Sequence, residues 1–294
     1  MVLEYGCYCV GFSDSKPLVD SMRPQRRPIR DRFLGKVAIV TGGSSGIGRA
    51  TVDELCREGA SVTFTGIERE IGEQAERELS VLGLPALFRH GDMADPEFPG
   101  RIIQDTIARF GRVDYLVNNA FSFISKGADA TAEDWTHVFE VGPVAYARMG
   151  AAAARQMKMG GGAIVNLSSI SAFIAQPNRW TYNAAKGAVH TLTKCMALDF
   201  APYGVRVNSV SPGWIWTREV LKAAGGDRAK WDLVWGQFHM LERCGDPVEV
   251  AAAILFLLSD DASFITAADL PVDGGYQGMG SEGNGKNSHF AGTE

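Results

Sequence analysis

The stretch Thr41-Gly42-Gly43-Ser44-Ser45-Gly46-Ile47-Gly48 constrains the fold of this 294-residue chain more than any other. Before it stands the apolar run Val37-Ala38-Ile39-Val40, which reads as a buried strand. After it, Arg49 to Arg57 reads as a helix with Ala50, Val52 and Leu55 as core-facing positions. Strand, glycine-rich turn and helix, in that order, make the setting of a phosphate-binding loop. Gly42 permits a tight turn, Gly46 lets backbone approach a pyrophosphate, and Gly48 lets the helix pack closely on the strand. The free N–H groups at the helix start then point at the anion. The spacing is G-x-x-x-G-x-G rather than G-x-G-x-x-G, and its flanks make it a nucleotide site.

The rest of the chain repeats the alternation. Ala60 to Thr65, ending at Gly66, is a second strand, and Arg69 to Leu82 a helix with Ile71, Ala75, Leu79 and Leu82 on one side. Ala86–His90 is a third strand, Pro96–Phe110 a helix and Val113–Val117 a fourth strand. Thr131 is the expected N-cap of a long helix to about Met157, with Glu133 and Asp134 in its first turn. Ala163–Leu167, Val205–Val210 and Leu270–Val272 complete the strands, with helices at Tyr182–Phe200 and Val248–Leu258 between them. The pattern predicts an α/β fold: a doubly wound, mostly parallel seven-stranded Rossmann sheet with helices on both faces. Ligands belong at the carboxyl ends of its strands.

A net charge of −5 gives no reason to expect nucleic acid or an anionic membrane as partner. No run reaches the about 18 apolar residues of a membrane span. The start, Met1 to Phe12, contains Glu4 and lacks a basic leader, so a secretory signal is not expected. The cysteines Cys7, Cys9, Cys56, Cys195 and Cys244 are scattered without paired metal-ligand spacing. They read as reduced thiols in a cytoplasmic protein that holds no metal. Residues 1–32, with prolines and arginines clustered from Ser13 to Arg32, read as a flexible arm laid on the surface, and 277–294 as a Gly/Ser-rich tail. The folded domain is expected over 33–276.

Further motifs stand at strand ends and helix starts: Asn118-Asn119-Ala120, Ser169, Tyr182-Asn183-Ala184-Ala185-Lys186 and Ser211-Pro212-Gly213. With the glycine loop, in this order and at these separations, they resemble the short-chain dehydrogenase/reductase family over about residues 33–276. Tyr182 and Lys186 are four apart and share a helix face. A free phenol titrates near 10, and a neighbouring ammonium is expected to lower that value. Tyr182 can then protonate a carbonyl oxygen or deprotonate an alcohol. The resemblance implies that Ser169 holds the substrate oxygen and that Lys186 also bonds the nicotinamide ribose. It further implies cofactor contacts from Gly42, Ser44, Ser45, Gly46, Ile47 and Gly48 at the pyrophosphate, Asp92 and Met93 at the adenine, Asn119 and Ala120 along the ribose, and Pro212, Gly213, Ile215 and Thr217 at the carboxamide.

Three departures from the family pattern stand out. Gly142 occupies the position of an asparagine that usually anchors a relay water, and Pro143 leaves the carbonyl of Phe139 free, so the helix should kink. A water held by that loosened backbone could substitute for the amide, or the pair could only bend the helix. Phe121 stands where glycine is usual, and with Phe123 either narrows the pocket or packs as core. At the end of the second strand, NAD-using relatives usually carry an aspartate and NADP-using relatives an arginine nearby. Here the positions hold Gly66, Ile67 and Ser45, with Glu68 set to repel a phosphate and Arg69 to attract it. NAD is the expected cofactor and NADP the alternative.

Residues 214–245 match the family's variable substrate loop. Trp214, Trp216, Trp231, Trp235 and Phe238, with Gln176, Asn178, Arg179 and Trp180 just ahead of Tyr182, suit a polar ring such as a sugar or polyol. The same tryptophans suit a buried lid or an interface equally well, and a lone His239 reads as structural. The candidate substrate contacts are Phe121, Trp180, Trp214 and Trp216. The expectation is an NAD(P)-dependent oxidoreductase that interconverts a secondary alcohol and a ketone, in a homodimer or homotetramer. The alternatives are a 3-oxoacyl or ketosteroid-type carbonyl reductase, or a non-catalytic nucleotide sensor. Enoyl reductases of the superfamily have a wider tyrosine-to-lysine spacing than this chain.

Overall fold

A computed structural model describes residues 26–158 and 160–280. The expectations for Cys7, Cys9 and most of both terminal segments lie outside the described residues. Seven strands form one sheet: β1 Val37–Val40, β2 Ser61–Gly66, β3 Ala86–His90, β4 Tyr115–Asn118, β5 Gly162–Leu167, β6 Val205–Pro212 and β7 Asp269–Val272. Their order is β3-β2-β1-β4-β5-β6-β7, and every pairing is parallel, β7 included. The expectation of a mostly parallel sheet thus becomes a wholly parallel one.

Side chains of one strand alternate between the two faces. Ala38, Val40, Tyr115, Val117, Ala163 and Val165 enter the core on one face, whereas Ile39, Leu116 and Ile164 enter the core on the other. The first face carries α1 Gly46–Arg57, α2 Arg69–Val81 and α9 Pro247–Leu258; the second carries α3 Phe98–Phe110, α5 Ala145–Met157 and α6 Trp180–Phe200. Val52 and Leu55 are buried as expected, while Ala50 is only half-buried and Leu82 is 64% exposed beyond the end of its helix.

Two helical segments escaped the sequence reading, α7 Arg218–Ala223 and α8 Arg228–Gly236, both inside the substrate loop. Each starts at a side-chain cap, Thr217 on Val220 N–H and Asp227 on Lys230 N–H. Those caps were the available signal. The long middle helix does begin at Thr131, with a capping box closed by Asp134. It breaks at Glu140–Val144, a π turn in which Gly142 has non-helical torsions (φ −91°, ψ −111°), between α4 Ala132–Phe139 and α5. The expected kink is present: Pro143 has no N–H to offer Phe139, and the chain widens there to i→i−5 bonding, Ala145 N–H to Glu140 C=O.

Ahead of β1, Arg26 and Arg32 pair with Glu58, which is fully buried and also accepts from the Ile29 N–H at 3.0 Å; Arg26 reaches Glu54 as well. Glu58→Ala would strand the Arg32 guanidinium at a largely dry site and leave Arg26 to Glu54 alone. The expected cost is about 3 kcal/mol in chemical denaturation, with faster tryptic cleavage at Arg26 to Arg32.

Candidate active site

The strand order reverses direction between β1 and β4, and a crevice opens at their carboxyl ends. Polar side chains staple its floor. Thr41 Oγ1 accepts from Asn119 N–H at 3.0 Å and from Ala120 N–H at 3.1 Å. Asn119 Nδ2 donates in turn to the carbonyls of Thr41 and Gly42, each at 3.0 Å. The Asn119 side chain is therefore spent on the glycine loop, and its backbone is what faces the crevice.

The loop geometry fits a dinucleotide. Gly42 has φ +65° and Gly46 φ +56°, conformations that L side chains resist. A Cβ on Gly48 would collide with the Gly42 carbonyl, so this glycine is needed for the loop's closure on itself as well as for helix packing. The first turn of α1 receives no side-chain cap, so its N–H groups remain available to an anion. A groove of about 370 Å³ runs along this turn, lined by Gly42, Ser44, Ser45, Gly46, Ile47, Asp92, Met93, Asn119, Ala120 and Thr217. These residues could hold a nicotinamide dinucleotide, with the helix start under its pyrophosphate.

A second cavity of about 350 Å³ continues from the groove, sharing Ile47, Asn119, Phe121 and Thr217 with it. Ser169, Tyr182 and Lys186 meet on its wall, with Pro212, Gly213 and Ile215 beside them. β5 delivers Ser169 at its carboxyl end, and the first two turns of α6 deliver Tyr182 and Lys186. The Ser169 hydroxyl accepts from Ser171 N–H at 3.1 Å and acts on the Tyr182 phenol, favouring its ionised form. Lys186 Nζ donates to the Leu167 carbonyl at 2.7 Å and lies 5.7 Å from the Tyr182 ring centre.

The electrostatics correct one expectation. Burial raises the Tyr182 phenol above its ordinary value, against the opposing pull of the Ser169 bond and the Arg179 charge. Burial also drives the Lys186 ammonium well below its ordinary value. The phenol therefore stands above its ordinary value beside the lysine, not below it as expected. Desolvation acts against both charged forms.

Two of the four candidate substrate contacts line the cavity, Phe121 and Trp214. Trp180 is turned outward and 57% exposed. Trp216 is buried in the lid, its Nε1 donating to Asp232 at 2.9 Å, amid a stack in which Trp235 touches Trp214, Trp216 and Trp231. Neither lines the cavity, Trp216 because it serves the lid's own apolar centre. His239 is structural: Nε2 accepts from Trp214 N–H at 3.2 Å, Nδ1 faces the Trp235 carbonyl at 3.1 Å, and burial lowers its pKa. Missed by sequence reasoning were Ser171, Glu219 and Val220 on the cavity wall and Arg218 at the groove. The last three directly follow Thr217, which was the available signal. Among the described residues no group of histidine, cysteine and carboxylate side chains could hold a metal, and no helix is long and apolar enough to cross a membrane.

A family model described as enoyl-(acyl carrier protein) reductase matches residues 42–277. The cyclopentanol dehydrogenase of Comamonas sp. is 38% identical over 251 residues, covering 83% of this chain and 98% of that protein. The NADP-dependent (R)-specific alcohol dehydrogenase of Lentilactobacillus kefiri is 36% identical over 252 residues, 84% of this chain and 98% of that protein. The solved structure of a 7α-hydroxysteroid dehydrogenase, complexed with NADH and 7-oxo glycochenodeoxycholic acid, superposes with a TM-score of 0.77. It is 29% identical and covers 83% of this chain and 95% of that one.

Proposed function

The chain belongs to the short-chain dehydrogenase/reductase family and is an alcohol dehydrogenase using a nicotinamide dinucleotide, and from that premise we propose that it interconverts a polar cyclic secondary alcohol and its ketone. The observation that carries the reading is the meeting of Ser169, Tyr182 and Lys186 on a cavity continuous with the glycine-loop groove. A bound dinucleotide supplies or accepts hydride. Tyr182 takes the proton from the substrate hydroxyl in oxidation and returns it to the carbonyl oxygen in reduction. Ser169 holds that oxygen against the phenol, and Lys186 fixes the ribose. Phe121, Phe123 and Trp214 exclude water and offer faces to a ring, while Gln176, Arg179 and Ser171 meet polar substituents.

The three-residue gap between Tyr182 and Lys186 supports carbonyl rather than enoyl chemistry. NAD is the proposed cofactor. Supporting it, the Glu68 carboxylate lines the groove beyond β2, while Arg69 is turned to Glu73 and His90. Arg218 also lines the groove, but it is paired with Glu68 at 2.9 Å. Initial rates with both dinucleotides test this, and a strong NADP preference overturns it. The proposed domain spans 33–276, with 214–245 as its substrate loop, in a cytoplasmic homodimer or homotetramer built on α4–α5 and α6. The 76% exposed Leu198 on α6 supports such an interface, and light scattering on the purified chain reads the assembly.

A panel of cyclic alcohols, sugars, polyols and ketosteroids, followed by the absorbance of reduced nicotinamide, tests the activity. Should the protein bind dinucleotide yet turn over nothing on the panel, the sensor reading replaces this one. Because the base is a phenolate whose burial raises its pKa, kcat/KM for alcohol oxidation is expected to climb across neutral and alkaline pH. Ketone reduction needs the protonated phenol and is expected to stay level until alkaline pH. Paired pH profiles in the two directions check the sign.

A further inference from the structure

Phe121 and Gly142, two of the departures noted in the sequence, touch one another. A Cβ built on Gly142 would stand 2.6 Å from the Phe121 ring, so only a glycine lets the ring lie where it does. The ring's other neighbours are the reacting pair. Lys186 Nζ sits over its face at 3.6 Å from the centroid, and the Tyr182 ring meets it edge-on at 5.4 Å. Behind it lies Tyr146, ring to ring at 6.3 Å, whose hydroxyl donates to the same Leu167 carbonyl that receives Lys186. The space a Gly142 side chain would take is thus filled by a phenyl ring.

We propose that Phe121 is a positioning residue for Lys186: its π face and the Leu167 carbonyl together seat the ammonium, and Gly142 is the cavity that admits the ring. The face of an aromatic ring attracts a cation, most strongly where water is excluded. The titratable groups around this ammonium are the phenols of Tyr182 on α6 and Tyr146 on α5, with Arg179 beside Tyr182. Burial is what disfavours its charge, and the ring offsets part of that penalty. Phe121 thereby fills the space beside Gly142, next to the reacting pair.

The inference rests on Tyr182 and Lys186 as the acid–base pair, but its first test does not require turnover. Lys186 lines the cavity, so competitive acetylation with acetic anhydride across pH, read by mass spectrometry, gives the midpoint at which it loses its proton. Phe121→Leu is expected to lower that midpoint by about one pH unit. Replacing Phe121 by pentafluorophenylalanine, which keeps the shape and removes the negative face, is expected to do the same in a chain that still folds. Gly142→Ala is expected to lower it in the wild-type background and to leave it unchanged in Phe121→Leu, since no ring is then displaced. An unmoved acetylation midpoint with the fluorinated ring overturns the inference while leaving the dehydrogenase reading intact. A lowered midpoint in a protein that oxidises no alcohol upholds the seat and refutes that reading instead.

Discussion

Tyr182→Phe is expected to lower alcohol oxidation by about three orders of magnitude while leaving dinucleotide affinity within about twofold. A positioned general acid–base group is worth roughly 10²–10⁴ in rate. The substituted ring keeps the volume that packs edge-on to Phe121 at 5.4 Å and stacks on Phe123 at 5.9 Å, so the cavity retains its walls. What disappears is the hydroxyl proposed to exchange the proton with the substrate oxygen. Single-turnover rates together with a binding isotherm for the dinucleotide separate the two effects. A variant that keeps a tenth of wild-type turnover would remove Tyr182 from the chemistry. Equal inertness of both proteins, with binding retained, would point to the sensor.

Lys186→Met is expected to abolish most turnover and at the same time to make the protein more resistant to heat. Lys186 is 3% exposed and, in the folded chain, its ammonium is held well below its ordinary value by burial. In the unfolded chain the same group titrates at about 10.4. Between those two values the unfolded state binds the extra proton, so stability rises with pH across this window, and the penalty is fully present below the folded value. Methionine removes the penalty and keeps the volume. It also removes the donor to the Leu167 carbonyl, which keeps the Tyr146 hydroxyl at 3.4 Å. A net gain of about 1 kcal/mol would raise Tm by roughly 2–4 °C in a domain of this size. Melting curves from pH 6 to pH 10 should show that gain shrinking as the pH climbs. A methionine variant that melts lower than wild type would mean that the carbonyl contact outweighs the buried charge. A methionine variant that melts higher than wild type would make Lys186 a case of function retained at the expense of stability.

Much of the fold was legible along the chain. β1, β3 and the capped start of α4 lie where alternation and capping rules put them, because a short apolar run flanked by glycine, or a threonine three residues before an aspartate, carries its signal locally. The helices of the substrate loop were hidden. With six and nine residues they are too short for periodicity to emerge, and their tryptophans serve a small core that exists only once the segment folds back on itself.

The sequence by itself determined the order of strands and helices, the kink that Gly142-Pro143 imposes, and which residue types stand four apart on one helix face, for all of these follow from local sterics and spacing. Only the tertiary structure decided that Trp180 and Trp216 miss the cavity, that Asn119 is spent on the glycine loop, and that Phe121 rests on Gly142 beneath an ammonium. Burial, which sets the titration of Tyr182 and Lys186, is a property of everything packed around a group, and residues 21 and 65 positions apart bring it about here.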